Sequence, residues 1–443
     1  MNKEENNPSK CPICGRTTHK ESKYCIFHAS AEEKTEDEFR KALKEYVDKI
    51  KKEDDNYNFK KFIFVGDINF KKDLNIIISK NANFTGAIFE EDTWFMDIHF
   101  KGSTDFSWAI FKKDAIFLNA TFEGDIHFNK VIFEKYADFV CAKFKGNTSF
   151  DSATFEDTDF DEATFEEDAN FWWATFKEDV SFAEATFKGY VYFDGATFEG
   201  DVDFRVKSLL KDVTLTRIRL FSGKKLNLKV KNDIEKISLE RAFLDNAYLD
   251  IELAEGILID FSGALLRNTK IERGQIENHF LQEKEKDFSE AKDIYLLLKN
   301  NFHSTGRYED ENWAFKKEKD MERKNICHFK TLHKWLWSCF LNGIFGYGMQ
   351  PSKVIMSGIL IITLFAFLFM NLGISNVVGI EFNTSNNFLD CMYFSTITFT
   401  TLGYGDFRPL EGLGRVLAGS EAFIGAFMMA LFVYTFARRT GGR

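Results

Sequence analysis

Four residues near the start of the chain have the types and spacing to hold a metal ion. Cys11 and Cys14, followed by Cys25 and His28, give the pattern C-x2-C-x10-C-x2-H. Two close ligand pairs on either side of a short loop are what a tetrahedral zinc ion requires. Four protein ligands leave no open position for chemistry, so a structural Zn2+ is expected. It would staple a segment too short to have its own core. The alternative is two accidental pairs of buried thiols, and a redox role for Cys11 and Cys14 lacks a surrounding βαβ pattern. No nucleophile and base set, phosphate loop or GxGxxG turn is recognisable, so no enzyme is expected.

A second constellation lies between two apolar segments. Thr400-Thr401-Leu402-Gly403-Tyr404-Gly405-Asp406 resembles the selectivity filter of potassium channels. The resemblance implies K+ in the filter, its water replaced by the carbonyls of Thr401, Leu402, Gly403 and Tyr404, with the Thr401 hydroxyl as the innermost ring. The residue types suit that work, because glycine reaches backbone angles that a Cβ resists, and Gly403 and Gly405 let consecutive carbonyls line one axis. Leu402 replaces the commoner valine, but only its carbonyl would face the ion. The Tyr404 ring is expected to pack outward against the pore helix.

The flanks extend the resemblance to a whole domain. No charged residue occurs from Val354 to Ile380, and Val354 to Leu372 is 19 residues long, close to the ~20 that span about 30 Å of hydrocarbon. Phe388 to Phe399 reads as a pore helix, and Val416 to Ala437 as an inner helix interrupted by Glu421. Irregular backbone at membrane depth is tolerated where it is buried in protein or lines a wet cavity, as a filter loop does. One filter strand supplies a quarter of a ring, so the resemblance to two-helix channels implies a homotetramer in a lipid bilayer.

Residue by residue, Gly414-Arg415 resembles a pair at the start of the inner helix in bacterial channels. Gly425, 20 residues after Gly405, falls where the family bends that helix. It is the gating hinge candidate; the alternative is that a small residue there lets helices approach closely. Tyr393 and Phe394 match the aromatic support of the filter. Ile397 stands where the archetypal bacterial channel has a glutamate, so inactivation that depends on that carboxylate is not carried over. Glu421, an acid inside a span, is functional by default, near a partner or water; structural support of the filter is favoured.

The elements that position these residues are written in an unusual composition, with 51 Phe and four Pro among 443 residues. From Phe84 to Phe204, Phe recurs in steps of five and six that alternate almost throughout. Phe59, Phe64 and Phe70 carry the same rhythm earlier, and Leu209, Leu215, Leu220 and Leu226 continue it. Such a period fits neither a helix face nor an alternating strand. It asks for a solenoid whose every fifth or sixth side chain turns inward, coils stacking at about 4.8 Å. This resembles the pentapeptide-repeat family, a right-handed quadrilateral β-helix. The sixth residue implies a bulge on alternate sides and about 22 residues per coil, giving six or seven coils from Phe84 to Leu226. Leu239, Leu244, Leu249, Ile259 and Leu265 suggest a tail of the same helix.

The chain is thus expected to be multidomain: a zinc knuckle over residues 1–30, an amphipathic linker helix over 31–55, the β-solenoid over 56–270, a helical hairpin connector over 271–332, an interfacial helix over 333–352, and a two-helix pore domain over 353–443. The hairpin pairs Asp287 to His303, which opens on a capping box at Asp287 and Glu290, with Tyr308 to Phe329. Trp335, Trp337, Phe340 and Leu341 beside Lys334 suit a membrane interface, like the slide helix before the outer helix of some channels.

Charge is uneven. Phe84 to Phe204 holds 26 acidic against nine basic residues, a net of −17 in a chain of net −10. A solvated face that prevents end-to-end stacking is the first reading, concentration of cations near a pore the second, and imitation of nucleic acid the third, although nothing else in the chain points to a nucleic-acid partner. Lys334 and Lys353 before the first span and Arg438, Arg439 and Arg443 after the second, with the intervening loops holding Arg408 and Arg415 against Glu381, Asp390, Asp406 and Glu411, lead to the expectation that both termini and the solenoid lie in the cytoplasm of a cell-membrane protein. Met1 to Lys10 is polar, so no signal peptide is expected. The reading is a potassium-selective tetrameric channel whose solenoid regulates gating or binds a cytoplasmic protein or small ligand. The alternative is a membrane-tethered β-solenoid scaffold with weak or non-selective cation conduction.

Overall fold

The computed structural model describes residues 10–74, 78–231, 234–325, 332–348, 350–378, 381–410 and 412–440. Phe329, Glu411 and Arg443, used in the expectations above, lie outside them. The chain forms two compact units, Met1–Gly306 and Arg307–Arg443.

In the first unit, short strands pair in parallel with the strand one coil away. Along one side the partners run Ala82↔Thr104, Thr104↔Ile126 and Ile126↔Thr148, a repeat of 22 residues. That side stacks ten strands. One coil contributes Ala82–Asn83, Ile88–Phe89, Thr93–Trp94 and His99–Phe100, one strand to each of four sides. The two step lengths make two kinds of corner. A five-residue step such as Phe84 to Phe89 turns through a residue of positive φ, here Gly86 at 65°, and closes with the Ala87 N–H donating to Phe84 O at 2.9 Å. A six-residue step such as Phe89 to Phe95 is longer because its strand Thr93–Trp94 ends one residue before the Phe, whereas Ile88–Phe89 ends on it; the pairing there shows no register shift, so no bulge of the kind expected is needed. Register does shift between Phe133 and Tyr136, opposite Phe155 to Phe160, where five residues replace six.

Inside, the Phe residues form columns. Phe106, Phe128 and Phe150 stack at 5.1 and 4.8 Å, and neighbouring columns meet edge to face, as Phe117 does Phe128 at 5.5 Å. Both arrangements suit the aromatic quadrupole and leave no polar atom to satisfy.

Both ends of the stack are covered, as sheet edges require. The segment expected as a linker is a cap: helix Glu36–Glu53, opened by a capping box between Thr35 and Glu38, buries Phe39, Leu43, Val47 and Ile50. Phe39 lies edge-on to Phe64 at 5.6 Å. At the other end the ladder runs past residue 270, with Ile259 bridging Phe280. Leu265, expected inside, faces out at 39% exposure while Leu266 is buried, because Leu265 pairs with the exposed Phe243 one coil before, and Leu266 falls 22 residues after the buried Leu244. Helix Phe288–Ser304, N-capped by Asp287, then closes the stack. Its Asn301 accepts from the Thr269 N–H at 2.8 Å and donates to Thr269 O at 2.9 Å. The expected hairpin is therefore divided: its first helix belongs to the solenoid unit and its second, Tyr308–Asn325, to the other.

The second unit continues with helix Leu332–Phe345, an outer helix Pro351–Leu372, a pore helix Phe388–Phe399 and an inner helix Leu413–Thr440. Pro351 opens the outer helix where a missing N–H costs nothing. Outer and inner helices are each long and apolar enough to cross a membrane. Lys353 Nζ donates to Asn342 O at 3.0 Å and Ser357 Oγ to Ile344 O at 3.2 Å, docking helix Leu332–Phe345, whose Trp337 and Phe340 stack at 5.5 Å on an exposed face. An antiparallel sheet of Ile374–Val378, Glu381–Ser385 and Phe407–Pro409 had no anticipated counterpart. It ties the chain just after Asp406 to the end of the outer helix.

Candidate functional site

The metal-ligating atoms of Cys11, Cys14, Cys25 and His28 lie within 4.8 Å of one another. Cys14 Sγ is 3.5 Å from Cys25 Sγ, and His28 Nδ1 is 3.5 Å from Cys11 Sγ and 3.2 Å from Cys25 Sγ. Edges of about 3.5–3.8 Å follow from bonds of ~2.0–2.3 Å around a tetrahedral ion, so the donor set fits zinc. Nδ1 faces the sulfurs while Nε2 reaches Lys60 O at 3.1 Å, the second-nitrogen contact that fixes a ligand imidazole. Gly15, at φ 70°, makes the turn that returns Cys14 to the cluster. Burial pushes the Cys25 thiol up to about 12 and holds the His28 imidazole below its ordinary value. A binding cation would displace the proton that Cys25 retains, while the neutral His28 can offer its Nδ1 lone pair.

The loop Thr400–Asp406 leaves the C-terminal end of the pore helix. Thr401 N–H donates to Thr398 O at 3.1 Å and Leu402 N–H to Ile397 O at 2.9 Å, so the loop hangs from the last turn. Thr401, Gly403 and Gly405 have φ of 57°, 52° and 80°. In an ordinary extended segment successive carbonyls point to opposite sides; reversing the backbone hand at every second residue turns them toward the same side. Glycine makes two of those reversals cheap, and Thr401 carries the third. The partial negative charge at the end of the pore helix points at the same place and favours a cation there. Leu402 and Tyr404 are 59% and 69% exposed. The Tyr404 ring thus does not pack on the pore helix of its own chain, contrary to expectation.

Residues 354–441 match the family described as "Ion channel", and residues 84–132, 128–172 and 174–205 match "Pentapeptide repeats (9 copies)". The chain joins a pentapeptide-repeat domain to an ion-channel domain. Among known relatives, two pore potassium channel a of Oryza sativa subsp. japonica is 43% identical over 49 residues, which is 11% of this chain and 14% of that protein.

Within the ion-channel domain, Tyr393 and Phe394 lie on helix Phe388–Phe399 and Glu421 lies on the helix Leu413–Thr440. Phe394 is buried against Phe369 of the outer helix, rings 4.9 Å apart. Tyr393 lies 5.8 Å from Phe407, just past the loop Thr400–Asp406. Ile397 is buried with Phe365 and Phe369. Glu421 is fully buried and bonded to Ser395 Oγ, which also reaches Ile362 O at 2.8 Å. A hydroxyl has one hydrogen, so it can donate to only one of these two oxygens. Three helices meet at that point. Gly425 is a close approach: a Cβ there would lie 2.7 Å from the carbonyl carbon of Phe399 and nearer still to its oxygen.

Ser395 and the antiparallel sheet were not found by sequence reasoning. Ser395 stands 26 residues from Glu421 and 33 from Ile362, and no local pattern marks it. Lys34, buried beside the metal-ligand cluster, also lacked a signal, since it lies in a charged run that reads as solvated.

Proposed function

We propose that the chain is a potassium-selective channel that conducts passively as a homotetramer in the cell membrane, and that it is not an enzyme. The observation that carries this reading is the reversal of backbone hand at Thr401, Gly403 and Gly405, in a loop that follows a short helix between two membrane-length helices. That alternation is what a column of carbonyls around a dehydrated cation needs. Exposed Leu402 and Tyr404 support assembly, because a neighbouring copy can cover side chains that the chain itself leaves bare. Thr400 to Asp406 form the filter, Tyr393, Phe394 and Glu421 brace it, and Gly425 remains the hinge candidate. Cys11, Cys14, Cys25 and His28 hold a structural zinc ion. Flanking Lys353, Arg438 and Arg439 place both termini and the solenoid on the cytoplasmic side, where the solenoid regulates gating or binds a partner.

Purified protein in liposomes tests the proposal. A potassium gradient should drive flux that Gly403→Asp abolishes, and the reversal potential should follow potassium when sodium is exchanged for it. Flux that survives the substitution, or a reversal potential indifferent to the exchange, would overturn it. Removing residues 1–306, the first compact unit, should change open probability; an unchanged value would end the regulatory reading.

A further inference from the structure

We propose that the metal centre at Cys11, Cys14, Cys25 and His28 fastens the N-terminal cap of the solenoid, with Lys34 as its built-in counter-charge. This rests on the structural-zinc reading above and adds what the ion holds and what neutralises it.

The knuckle stands where a coil before the first one would stand. Within the solenoid, Ile88 N–H donates to Phe62 O at 2.8 Å and Ile110 N–H to Ala87 O at 2.9 Å, each bond joining a coil to the one before. Ile63 N–H makes the corresponding bond to Phe27 O at 2.8 Å, so the knuckle satisfies the edge of the first coil. Phe27 stacks on Phe62 at 4.5 Å, extending the aromatic core outward. His28 Nε2 reaches Lys60 O at 3.1 Å. All three contacts come from Phe27 and His28, directly after the ligand Cys25. Among the described residues, the side chains buried between Cys11 and Ala29 are Cys11, Ser22, Cys25, Phe27, His28 and Ala29, too few for a core of the knuckle's own, while Cys14 is exposed. A bound ion is what would fix Phe27 and His28 in register with the first coil.

Charge leads to the same place. Three thiolates around a divalent ion leave a net charge of −1 at a site where Cys11, Cys25 and His28 are buried and Cys14 is exposed. Lys34 is only 6% exposed. Its Nζ donates to Ile26 O at 2.9 Å and Ile63 O at 2.6 Å, and lies 4.6 Å from the centre of the Phe39 ring. No carboxylate lies within ion-pair distance of it among the described residues, and burial pushes its pKa down to about 7. A buried ammonium with only carbonyl partners is costly. A metal–thiolate centre beside it, reached through the carbonyl of Ile26, supplies the missing negative charge. The same lysine bridges knuckle and first coil, so counter-charge and fastening are one device.

The test uses the full chain in detergent, as wild type, Cys14→Ser, Lys34→Met and Lys34→Arg. We expect about one zinc per chain in wild type and a large loss in Cys14→Ser. Lys34→Met should hold zinc but release it to a chromogenic chelator at least about tenfold faster, and Lys34→Arg should restore slow release. Chelation should raise hydrogen exchange at residues 57–64 and leave residues 104–191 protected. Less than about half an equivalent of zinc in wild type would overturn the metal reading itself. Full zinc with equal release from Lys34→Met and wild type would overturn the counter-charge. Full zinc whose removal leaves exchange at residues 57–64 unchanged would overturn the fastening.

Discussion

Gly425→Ala separates two roles for one glycine. The added Cβ would lie 2.7 Å from the carbonyl carbon of Phe399 and 2.9 Å from its Cα. Carbon atoms rest at about 3.5–4.0 Å from one another, so the inner helix must retreat from the pore helix by roughly 1 Å. Every obstructing atom is backbone in the last turn of the pore helix, and no rotamer change relieves it. Overpacking of this kind costs about 1–3 kcal/mol, and the upper half of that range applies where backbone has to move. The turn that moves carries the carbonyls of Ile397 and Thr398, from which Leu402 and Thr401 hang, so the substitution should disturb conduction as well as stability. The assay pairs the thermal midpoint of the detergent-solubilised channel with potassium flux in liposomes. A lower midpoint and weaker flux are expected together. A variant whose stability stays within about 0.5 kcal/mol of wild type while its open probability alone changes would refute the packing argument and leave Gly425 a hinge.

Three further outcomes follow from the same geometry. Phe128→Ala empties a site walled by Phe106, Phe150, Phe117 and Phe139 and should destabilise the solenoid by about 3–5 kcal/mol, read as loss of hydrogen-exchange protection in the adjoining coils; less than about 1 kcal/mol would mean the stack collapses into the gap. Glu421→Gln keeps a hydrogen-bonding head that can both donate and accept against Ser395, so its thermal midpoint should stay near wild type, whereas Glu421→Ala should cost about 1–3 kcal/mol; equal effects would remove the three-helix junction as a support. Desolvation raises Asp159 to about 6 and also lifts Asp138 above the ordinary carboxylate range. A folded-state value above the unfolded one means the folded chain binds more protons between about 4 and 6, so stability should rise as pH falls through that window. Asp159→Asn should flatten that rise in thermal midpoints taken from pH 7.5 to pH 5, and an unchanged slope would count against the assignment.

The spacing of Phe residues carried the solenoid before any coordinates, because a side chain that must turn inward once per side leaves its period in the sequence whatever surrounds it. The same applies to Cys11, Cys14, Cys25 and His28, whose pairwise spacing is a local requirement of a tetrahedral ion, and to the two apolar spans with a glycine-punctuated loop between them. Where local pattern was ambiguous, contact settled the matter. A charged amphipathic stretch became the cap of the first coil because the edge above Phe64 needed cover, and Leu266 took the inward place expected of Leu265 because it stacks one coil after the buried Leu244.

What the sequence alone determined was periodicity and chemistry: which residues face inward, which can ligate, and which segments are long and apolar enough to cross a membrane. Tertiary structure decided what lies beside what. The meeting of Ser395 with Glu421 and Ile362, the approach of Gly425 to Phe399, the clasp of the antiparallel sheet behind Asp406 and the burial of Lys34 all join residues far apart in the chain. Such contacts exist only once helices and coils have packed, since no short-range rule of backbone or side chain constrains the distance between them.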